Sequence, residues 1–435
     1  MESGPIRSRL LTAVLLLACG PSHAAPDPEF DACVNELRTE ALAAGIRHRT
    51  FNRAMRGVQP DASVIEAMET QPEFETPVWD YLARLVDEKR IAEGQARLAQ
   101  WAPVLDRIEQ QYGVDRHIVV AVWGVESDYG RIMGNRPLVR SLTTASCYGE
   151  RQRFFRGELL ATLQIIQGGD MKPEALRGSW AGAFGQTQFM PSTFQRMAVD
   201  FDGDGKRDLV ASVPDALGSV ANFLRVSHWT PGEPWGYEVK IPAAYDGPSG
   251  RHQREPLAAW RERGIVRVDG RPLEGEGDAA LLLVAGTRGP AFLVFPNFDA
   301  IHAYNRSEAY ALAIAHLADR LKGGGPIVAA WPVEDPILSR TERRELQQHL
   351  IDLGLLEGDA DGIVGSRTTA AVKAFQAWNG MPPDGYASAR VLKALREAPP
   401  GFTGPPAPPS VATLGEPVPP PATAGAAAVP QAASN

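Results

Sequence analysis

The sequence is poor in cysteine and in long apolar runs. Only three of its 435 residues are cysteine, and only one strongly apolar stretch occurs, close to the N-terminus. A membrane-spanning helix needs about 20 apolar residues, so a polytopic membrane protein is excluded. The content of 44% hydrophobic and 22% charged residues also excludes fibrous and wholly disordered chains. At roughly 150 residues per domain, the length predicts two or three domains.

Positive charge and several catalytic motifs are also lacking. The formal net charge is −8 at pH 7, which argues against nucleic acid as a partner because phosphate binding needs a basic surface. The motifs His-Glu-x-x-His and Gly-x-Ser-x-Gly are absent, as is the phosphate loop that ends in Gly-Lys-Ser/Thr. A zinc protease of that type, an α/β-hydrolase and a P-loop nucleotidase are therefore excluded.

The N-terminal 24 residues predict an export signal and a periplasmic protein. Two arginines precede the apolar run Leu10–Ala18, which is too short to span a membrane, and small residues follow it. Two cleavage sites fit. A cut after residues 22–24 would release a soluble protein, whereas residues 16–19 resemble a lipoprotein box that would leave a lipid anchor on Cys19 at the outer membrane. A buried core helix is the alternative to both.

Either cut leaves Cys33 and Cys147 as the ordinary thiols of the mature chain. In an oxidising compartment two such cysteines are candidates for a disulfide, although the sequence alone does not show that they meet. Neither has a His or Cys neighbour at metal-ligand spacing, so a zinc site is not expected.

Residues 28–322 predict one large, mainly helical unit. Apolar residues recur there at helical spacing, and Asp115 can cap an almost wholly apolar helix that runs to about Ser127. Residues 230–300 contain more proline, glycine and β-branched residues. They predict two short strands, Leu281–Val284 and Phe292–Phe295, in a small β-containing insert.

A glycine and proline-rich linker at 323–332 separates this unit from a small one at 333–397. Three amphipathic segments predict three helices in the small unit. Two of them carry Leu-Gln or Phe-Gln followed by an Asp-Gly turn, which indicates an internal pseudo-repeat. The remaining residues 398–435 predict a disordered tail, because the last 39 residues hold 11 of the 36 prolines and no Lys or Arg.

Glu126 is the candidate catalytic residue. It lies near the end of the apolar helix, close to Trp123, and Ser127–Gly130 follow it. Desolvation raises the pKa of a carboxyl group in such a place, which keeps it protonated near neutral pH as a general acid requires. The alternative is a helix-terminal Glu that only caps or pairs.

The segment Gly178–Ser192 is the second candidate. It combines small residues with Gln, Ser and aromatic side chains. Small residues let the backbone approach a ligand closely, and the neutral polar groups supply the donors and acceptors that a sugar groove needs. The alternative is a tightly packed junction between a helix and a loop.

Together these segments resemble the membrane-bound lytic transglycosylase B family, within the soluble-lytic-transglycosylase group of lysozyme-like enzymes. The resemblance covers residues 30 to about 321. Glu126–Gly130 and Gly178–Ser192 are similar to its first two motifs, and Ala221–Leu224 and Tyr304–Leu312 to its later ones. It implies a mainly α (α+β) fold, with a lysozyme-like catalytic domain.

The resemblance also implies a mechanism that needs no cofactor. Glu126 would act alone, first protonating the oxygen of the β-1,4 bond between N-acetylmuramic acid and N-acetylglucosamine in peptidoglycan glycan strands. It would then take a proton from the muramyl 6-hydroxyl as a 1,6-anhydro ring closes. A hydrolase usually needs a second carboxylate, and Asp128 would point elsewhere if the helix continues through it.

The resemblance implies further groove residues, among which Tyr304 and Asn305 would position the acetamido group or Glu126. Arg151 would bind a peptide-stem carboxylate, although Glu150 replaces the first Arg of the family's pair, and Phe223 stands where Tyr is common. The expected binding residues are Ser179, Gln188, Phe189, Arg151, Phe223, Tyr304, Asn305 and Tyr310.

Residues 200–208 predict a structural calcium loop. Aspartates alternate with other residues and Gly205 is the sixth position, which suits the sharp turn around a hard cation. A standard calcium loop has a carboxylate at position twelve, which here is Ala211. The family resemblance instead implies a longer loop in which a later acid completes the site. The expected ligands are Asp200, Asp202, Asp204, the Lys206 carbonyl and Asp215. A solvated Asp/Gly turn is the alternative.

The small unit resembles the three-helix peptidoglycan-binding domain, which implies anchoring to the wall beside the catalytic groove and a higher effective substrate concentration. A helical packing module is the alternative for that unit.

For the whole chain the first interpretation is a lytic transglycosylase. A hydrolytic muramidase of the same fold and a non-catalytic wall-binding scaffold are the alternatives.

Overall fold

The computed structural model describes residues 27–69, 76–243, 245–335 and 337–398. The expected signal at 1–24, the anchor at Cys19 and all of the expected tail except Ala398 lie outside those ranges. Within them, no helix combines the length and apolar character needed to cross a membrane.

Helices dominate the described part of the chain, as expected. Up to residue 226 they are α1 (Pro28–Ala43), α2 (His48–Ala54), α3 (Ala62–Glu69), α4 (Val78–Leu85), α5 (Glu88–Gln100), α6 (Ala102–Tyr112), α7 (Arg116–Ser127), α8 (Leu138–Cys147), α9 (Gln152–Gly168), α10 (Pro191–Met197) and α11 (Val213–Val226). After them come α12 (Leu257–Glu262), α13 (Pro296–Asn305), α14 (Glu308–Leu321), α15 (Arg340–Asp352), α16 (Ser366–Trp378) and α17 (Ala389–Arg396). The expected mainly α fold with a small β insert is confirmed.

Within the described ranges the strands form one short ribbon and one small sheet. The ribbon joins β1 (Arg136–Pro137) and β2 (Arg177–Gly178) in antiparallel pairing. The strands of the sheet are β3 (Gly236–Lys240), β4 (Arg254–Pro256), β5 (Val266–Arg267), β6 (Asp278–Leu282) and β7 (Ala291–Val294). Their spatial order is β4-β6-β7-β3-β5. The hairpin β6–β7 overlaps the expected strand pair and pairs Leu281 with Leu293, but β6 ends at Leu282 and β7 at Val294, before the expected ends of both strands.

Helix α7 lies at the centre of the large unit. Asp115 caps its N-terminus by accepting a hydrogen bond from the His117 N–H, 2.8 Å long. The residues from Ile118 to Val125 are all buried, and α14, α5 and α11 pack around them. A helix that is apolar on all sides can only be stable in such an environment, so the sequence of α7 fixes its place in the core.

A disulfide joins Cys33 in α1 to Cys147 at the end of α8, with the two Cα atoms 5.7 Å apart. The N-terminal helix is held against α8 by further contacts around this bond. Tyr148 donates a hydrogen bond of 2.6 Å to Asp27, and its ring stacks on Phe30 with 6.2 Å between centroids. The pairing that the sequence left open is therefore present.

The small unit has its own apolar core and contains the pseudo-repeat. Gln347 donates to Asp361 at 2.9 Å and accepts from the Gly362 N–H at 2.6 Å. Gln376 makes the same two bonds to the turn at Asp384, at 2.6 and 2.7 Å. The second turn also contacts the large unit, because Asp384 accepts from the backbone N–H and hydroxyl of Thr287.

The segment between the units is attached to the β insert. Both carboxylate oxygens of Glu238 accept backbone hydrogen bonds, from Val328 and Ala329, each 2.8 Å long. Trp331 packs against Trp79 of α4 with 6.1 Å between ring centroids. These contacts hold the residues that the sequence predicts as a linker against the large unit.

Candidate active site

A cleft of about 300 Å³ opens beside the C-terminal end of α7. Its lining consists of Arg90, Val125, Glu126, Ser127, Asp128, Ile132, Gly134, Asn135, Arg136, Gly178, Ser179, Trp180 and Gln188. The first two expected motifs therefore meet at one place. Glu126, Ser179 and Gln188, three of the expected site residues, share this cleft.

The end of α7 places Glu126 in the lining of the cleft. The helix stops at Ser127, and the next three residues adopt left-handed backbone angles, with φ of 52° at Asp128, 58° at Tyr129 and 84° at Gly130. This sharp turn directs the chain away from the helix axis while Glu126 is still on the last helical turn. The ring of Tyr129 packs against α5 and α7, where Gly94 and Gly124 leave room for it.

Burial keeps Glu126 protonated over most of the neutral range. Desolvation raises its pKa to about 8, and a 2.5 Å hydrogen bond from the Tyr310 hydroxyl opposes that rise. In water the neutral carboxyl would ionise near pH 4.5. The site therefore holds a carboxylic acid with a proton to donate, together with a hydroxyl donor that stabilises the carboxylate once the proton has left.

Tyr310 reaches Glu126 because of the way α14 begins. Ser307 caps this helix by accepting a hydrogen bond from the Tyr310 N–H, which puts Tyr310 on the first turn. Helix α14 packs on α7, and Tyr310 is fully buried in that contact. The expected fourth motif thus supplies a partner to Glu126 from inside the core.

The other expected aromatic groove residues lie outside the described lining of the cleft and pack together next to Tyr310. Tyr304 is 9% exposed and donates a 2.7 Å hydrogen bond to the Thr187 carbonyl. Its ring packs on Phe223 and Phe189, with centroids 4.7 and 5.7 Å apart, and stacks on Tyr310 at 6.2 Å. Because Phe189 and Tyr310 are almost wholly buried, this group shapes the wall against which Glu126 rests.

Two further expected residues lie apart from the described lining. Arg151 stacks on Phe154, with its guanidinium carbon 4.4 Å from the ring centroid. Asn305 is the last residue of α13 and is half-buried. It precedes Arg306, whose left-handed backbone ends the helix.

Gln188 and Ser179 are held in place by backbone bonds within the second motif. Gln188 has a left-handed φ of 49°, and its side chain donates to the carbonyls of Met133 and Gly185 at 3.1 and 2.8 Å. The Ser179 hydroxyl accepts from the Ala183 N–H at 3.0 Å. Both side chains are thereby fixed in the lining of the cleft that contains Glu126.

Ser127 and Gln186 connect the two motifs, a link that the sequence analysis did not identify. The Ser127 hydroxyl donates to the Gln186 carbonyl at 2.6 Å, and the Trp123 indole donates to the Gln186 side chain at 3.0 Å. Both bonds are buried, where losing a partner costs about 1–3 kcal/mol. They fix the second motif against the helix that carries Glu126.

Asp128 is the other carboxylate in the described lining of the cleft. Because α7 ends before it, the expectation that it points away along a continuing helix does not apply. Instead, Arg131 holds it at 2.9 Å and Arg90 lies 3.7 Å from its other oxygen. Asp128 is thus paired with two guanidinium groups.

The aspartate loop after α10 brings three of the expected metal ligands together. Carboxylate oxygens of Asp200, Asp202 and Asp204 all lie within 4.8 Å of one another at the surface. Lys206 is exposed in the same turn, and its N–H donates to Asp204 at 2.9 Å. Alternating carboxylates at this spacing fit a hard cation such as Ca²⁺.

Asp215, the fifth expected ligand, lies outside that group. It is fully buried, and its two oxygens accept backbone hydrogen bonds from Phe201, Asp202 and Asp208, between 2.8 and 3.3 Å long. Its carboxylate therefore joins the beginning of the loop to its end by accepting hydrogen bonds from backbone N–H groups on both sides.

Several cleft residues were not singled out from the sequence. Trp180 lies within the second motif, next to Ser179, but it was given no role. Ile132, Asn135 and Arg136 follow the first motif closely along the chain and also line the cleft. Their nearness to Gly130 along the chain is the signal that could have identified them.

The raised pKa of Glu126 predicts a pH-dependent stability difference from the Glu126→Gln variant. The folded state keeps a proton that the unfolded state releases between about pH 4.5 and 8, so wild-type stability falls relative to the variant as the pH rises. We expect a free energy of unfolding about 4 kcal/mol higher for the variant at pH 8, and nearly equal values at pH 4. Urea unfolding at pH 4, 6 and 8 measures this, and a pH-independent difference would contradict it.

Comparison with known proteins agrees with this geometry. The transglycosylase SLT domain family matches residues 29–319, and the peptidoglycan-binding domain family matches residues 339–395. The chain is 32% identical to membrane-bound lytic murein transglycosylase B of Escherichia coli K12 over 293 residues, which covers 64% of this chain and 75% of that protein.

Two solved structures are similar as well. SltB3 of Pseudomonas aeruginosa, in complex with NAG-anhNAM-pentapeptide, is 50% identical with a TM-score of 0.82, covering 84% of this chain and 99% of that one. Slt35 of E. coli, in complex with calcium, is 29% identical with a TM-score of 0.59, covering 68% of this chain and 94% of that one. The chain therefore belongs to the SLT-domain family of lytic transglycosylases and carries a C-terminal peptidoglycan-binding domain.

Proposed function

We propose that this protein cleaves the β-1,4 bond between N-acetylmuramic acid and N-acetylglucosamine in peptidoglycan without adding water. The products are glycan strands that end in 1,6-anhydromuramic acid. The observation that carries the proposal is the place of Glu126 in the cleft, where burial raises its pKa and the buried Tyr310 donates a hydrogen bond to it. The complex of the similar SltB3 with a NAG-anhNAM-pentapeptide also supports it.

In the first step Glu126 acts as the general acid. It donates its proton to the glycosidic oxygen, the bond from that oxygen to the muramyl anomeric carbon breaks, and N-acetylglucosamine leaves with a free hydroxyl. A pKa of about 8 makes the protonated form dominant at neutral pH, and such positioned proton transfer is worth about 10²- to 10⁴-fold in rate.

In the second step the same residue acts as the base. The Glu126 carboxylate, stabilised by the Tyr310 hydroxyl, takes the proton from the muramyl 6-hydroxyl while that oxygen bonds to the anomeric carbon. The 1,6-anhydro ring closes and Glu126 is protonated again, so atoms and protons balance without a water molecule or a cofactor.

The surroundings of Asp128 favour closure of the 1,6-anhydro ring over hydrolysis. A retaining or inverting hydrolase uses a second carboxylate as nucleophile or base. Among the described residues that line the cleft, Asp128 is the other acid, and Arg131 and Arg90 pair with it. The neutral groups Ser179 and Gln188 in the cleft lining are suited to hydrogen-bond sugar hydroxyls and acetamides, with Trp180 as an apolar surface for a sugar ring.

The small C-terminal unit supports the choice of substrate. A second domain that binds the same polymer keeps the catalytic cleft near uncut strands and raises their effective concentration. The export signal expected at residues 1–24 would take the protein to the periplasm, where this polymer lies. Lipidation at Cys19 would instead keep it on the outer membrane.

Digestion of purified peptidoglycan, followed by mass spectrometry of the fragments, tests the proposal. We expect anhydro ends from the wild type and none from Glu126→Gln. Reducing ends would instead indicate a muramidase, and intact strands would indicate a wall-binding scaffold.

We also propose that Asp200, Asp202 and Asp204 hold a structural Ca²⁺, with the Lys206 carbonyl as a further ligand and Asp215 closing the loop. Three carboxylate oxygens within 4.8 Å of one another support it, as does the calcium complex of the similar Slt35. The ion would offset the mutual repulsion of the three carboxylates and fix the loop between α10 and α11.

Calcium should therefore raise the thermal stability of the protein. We expect the melting temperature to increase by a few degrees when Ca²⁺ replaces a chelator, because a ligand that binds only the folded state stabilises it. The Asp204→Asn variant should lose that increase, whereas Asp106→Asn, which changes an exposed carboxylate of α6, should keep it. Equal melting temperatures with Ca²⁺ and with chelator would contradict the site.

A further inference from the structure

The two Asp-Gly turns of the small unit share one design on their inner side. We call residues 361–364 the first turn and residues 384–387 the second turn. In each turn one carboxylate oxygen of the aspartate, the inner oxygen, accepts two hydrogen bonds. One comes from the glutamine amide, at 2.9 Å in the first turn and 2.6 Å in the second. The other comes from the backbone N–H two residues after the aspartate, at 2.7 and 3.0 Å.

The outer oxygen of the second turn is occupied by the large unit. This oxygen of Asp384 accepts from the N–H of Thr287 at 2.9 Å and from its hydroxyl at 3.2 Å. Gly286 comes so close that an added Cβ would lie 2.5 Å from the same oxygen. Beside these bonds, Tyr386 packs against the apolar core of the large unit. The second turn therefore binds an N–H and a hydroxyl on adjacent carbon atoms, next to an apolar contact.

The first turn presents the same surface to solvent. Asp361 is exposed, and none of the residues that the structure describes donates to its outer oxygen. The apolar side chains of this turn are uncovered too, since Ile363 is 63% and Val364 37% exposed. Hydrogen bonds from the Ile363 N–H and then from the Gln347 amide lower the pKa of Asp361. The outer oxygen thus belongs to an ionised carboxylate, which only accepts hydrogen bonds.

We infer that Asp361 binds N-acetylglucosamine residues of the glycan strand, with its outer oxygen accepting from the acetamido N–H and the 3-hydroxyl. These two donors lie on adjacent carbons of the sugar, as the N–H and the hydroxyl of Thr287 lie on adjacent carbons of the threonine. The acetyl methyl group packs on Ile363, as the large unit packs on Tyr386. The inference rests on the proposed function, because it takes peptidoglycan as the polymer that the small unit binds.

The same chemistry makes the first turn selective within the strand. In N-acetylmuramic acid the oxygen at the 3-position is a lactyl ether and has no proton to donate. Only one of the two donors remains in that sugar, so Asp361 prefers the glucosamine residue. A hydrogen bond to a charged group is stronger than one between neutral groups, which makes the loss of one donor measurable.

Methyl NMR of the full-length protein tests the inference. The protein carries labelled isoleucine methyl groups and Glu126→Gln, which keeps the probe intact, and Ile363→Val assigns the signal of Ile363. The probe is chitotetraose, a chain of β-1,4-linked N-acetylglucosamine. Movement of the Ile363 signal gives the dissociation constant at this turn, separately from binding in the catalytic cleft. Cellotetraose, with a hydroxyl in place of each acetamido group, should bind at the turn severalfold more weakly.

Asp361→Asn removes the outer acceptor with little change to the fold. Its amide oxygen can keep both inner hydrogen bonds, whereas an NH2 donor replaces the outer oxygen. We expect the dissociation constant for chitotetraose to rise about tenfold or more. Asp352→Asn, which changes an exposed carboxylate at the end of α15, is the matched control and should bind as the parent protein does.

Three results would overturn the inference: an unmoved Ile363 signal, equal affinity for the two oligosaccharides, or unchanged affinity in Asp361→Asn. The proposed function is judged separately, by the ends that the wild type produces from peptidoglycan. Either can therefore fail without the other.

Discussion

Replacing Glu126 with glutamine is expected to lower the rate of glycan cleavage by about 10³- to 10⁴-fold. Glutamine keeps the size of the side chain and accepts the hydrogen bond from Tyr310, but it carries no proton to donate and cannot become a base. In the wild type one carboxyl group performs both proton transfers, each worth roughly 10²-fold or more. Removing it therefore disables both steps, and the remaining rate reflects binding and orientation alone.

Asp128→Asn is the matched control for this result. It neutralises the other acid in the described lining of the cleft, which faces Arg131 and Arg90 and has no part in the proposed proton transfers. We expect it to retain at least about a tenth of the wild-type rate and to give the same anhydro products. If Glu126→Gln kept more than a few per cent of activity, or if Asp128→Asn were equally inactive, the assignment of a single catalytic carboxyl would be wrong.

Removing the Cys33–Cys147 disulfide is expected to lower the free energy of unfolding by about 3–5 kcal/mol. The bond closes a loop with a sequence separation of 114 residues, and a loop of about 100 residues corresponds to roughly 4.7 kcal/mol of lost chain entropy in the unfolded state. The bond joins α1 to α8, while α9 packs against α8 more extensively than against any other element. Loss of the disulfide should therefore weaken the packing of α1 against α8 first.

The double variant Cys33→Ala/Cys147→Ala should unfold at lower urea concentration than the wild type, and reductant should not change its midpoint. Reduced wild type should behave like the variant. The contacts of Tyr148 with Asp27 and Phe30 remain in both, so the difference reports the covalent bond. A reduced wild type that is as stable as the oxidised form, with both thiols shown to be free, would contradict the expectation.

The sequence predicted the elements best where one local signal determined them. Asp115 as a cap and the wholly apolar run after it predicted α7 almost to the residue, because such a helix has no solvent-exposed face. The strand pair β6–β7 was also predicted, since two apolar runs enclose a turn rich in glycine.

The site was harder to predict where it depends on distant pairings. That Tyr310 hydrogen-bonds Glu126 follows from the packing of α14 on α7, over a separation of 184 residues. The role of Gln186 as a link to Trp123 and Ser127 likewise needs the two motifs to meet. Asp215 has the charge that a calcium ligand needs. In the structure it is fully buried, and its oxygens accept hydrogen bonds from three backbone N–H groups. Local patterns carry no information on such contacts.

The central claim is that Glu126 serves as both acid and base and that no water enters the bond. Digestion of peptidoglycan in water enriched in heavy oxygen, with mass spectrometry of the new muramyl ends, tests it most directly. The proposed mechanism predicts ends that are lighter than a hydrated end by one water molecule and free of the label. New reducing ends that carry the heavy oxygen would show hydrolysis and contradict the claim.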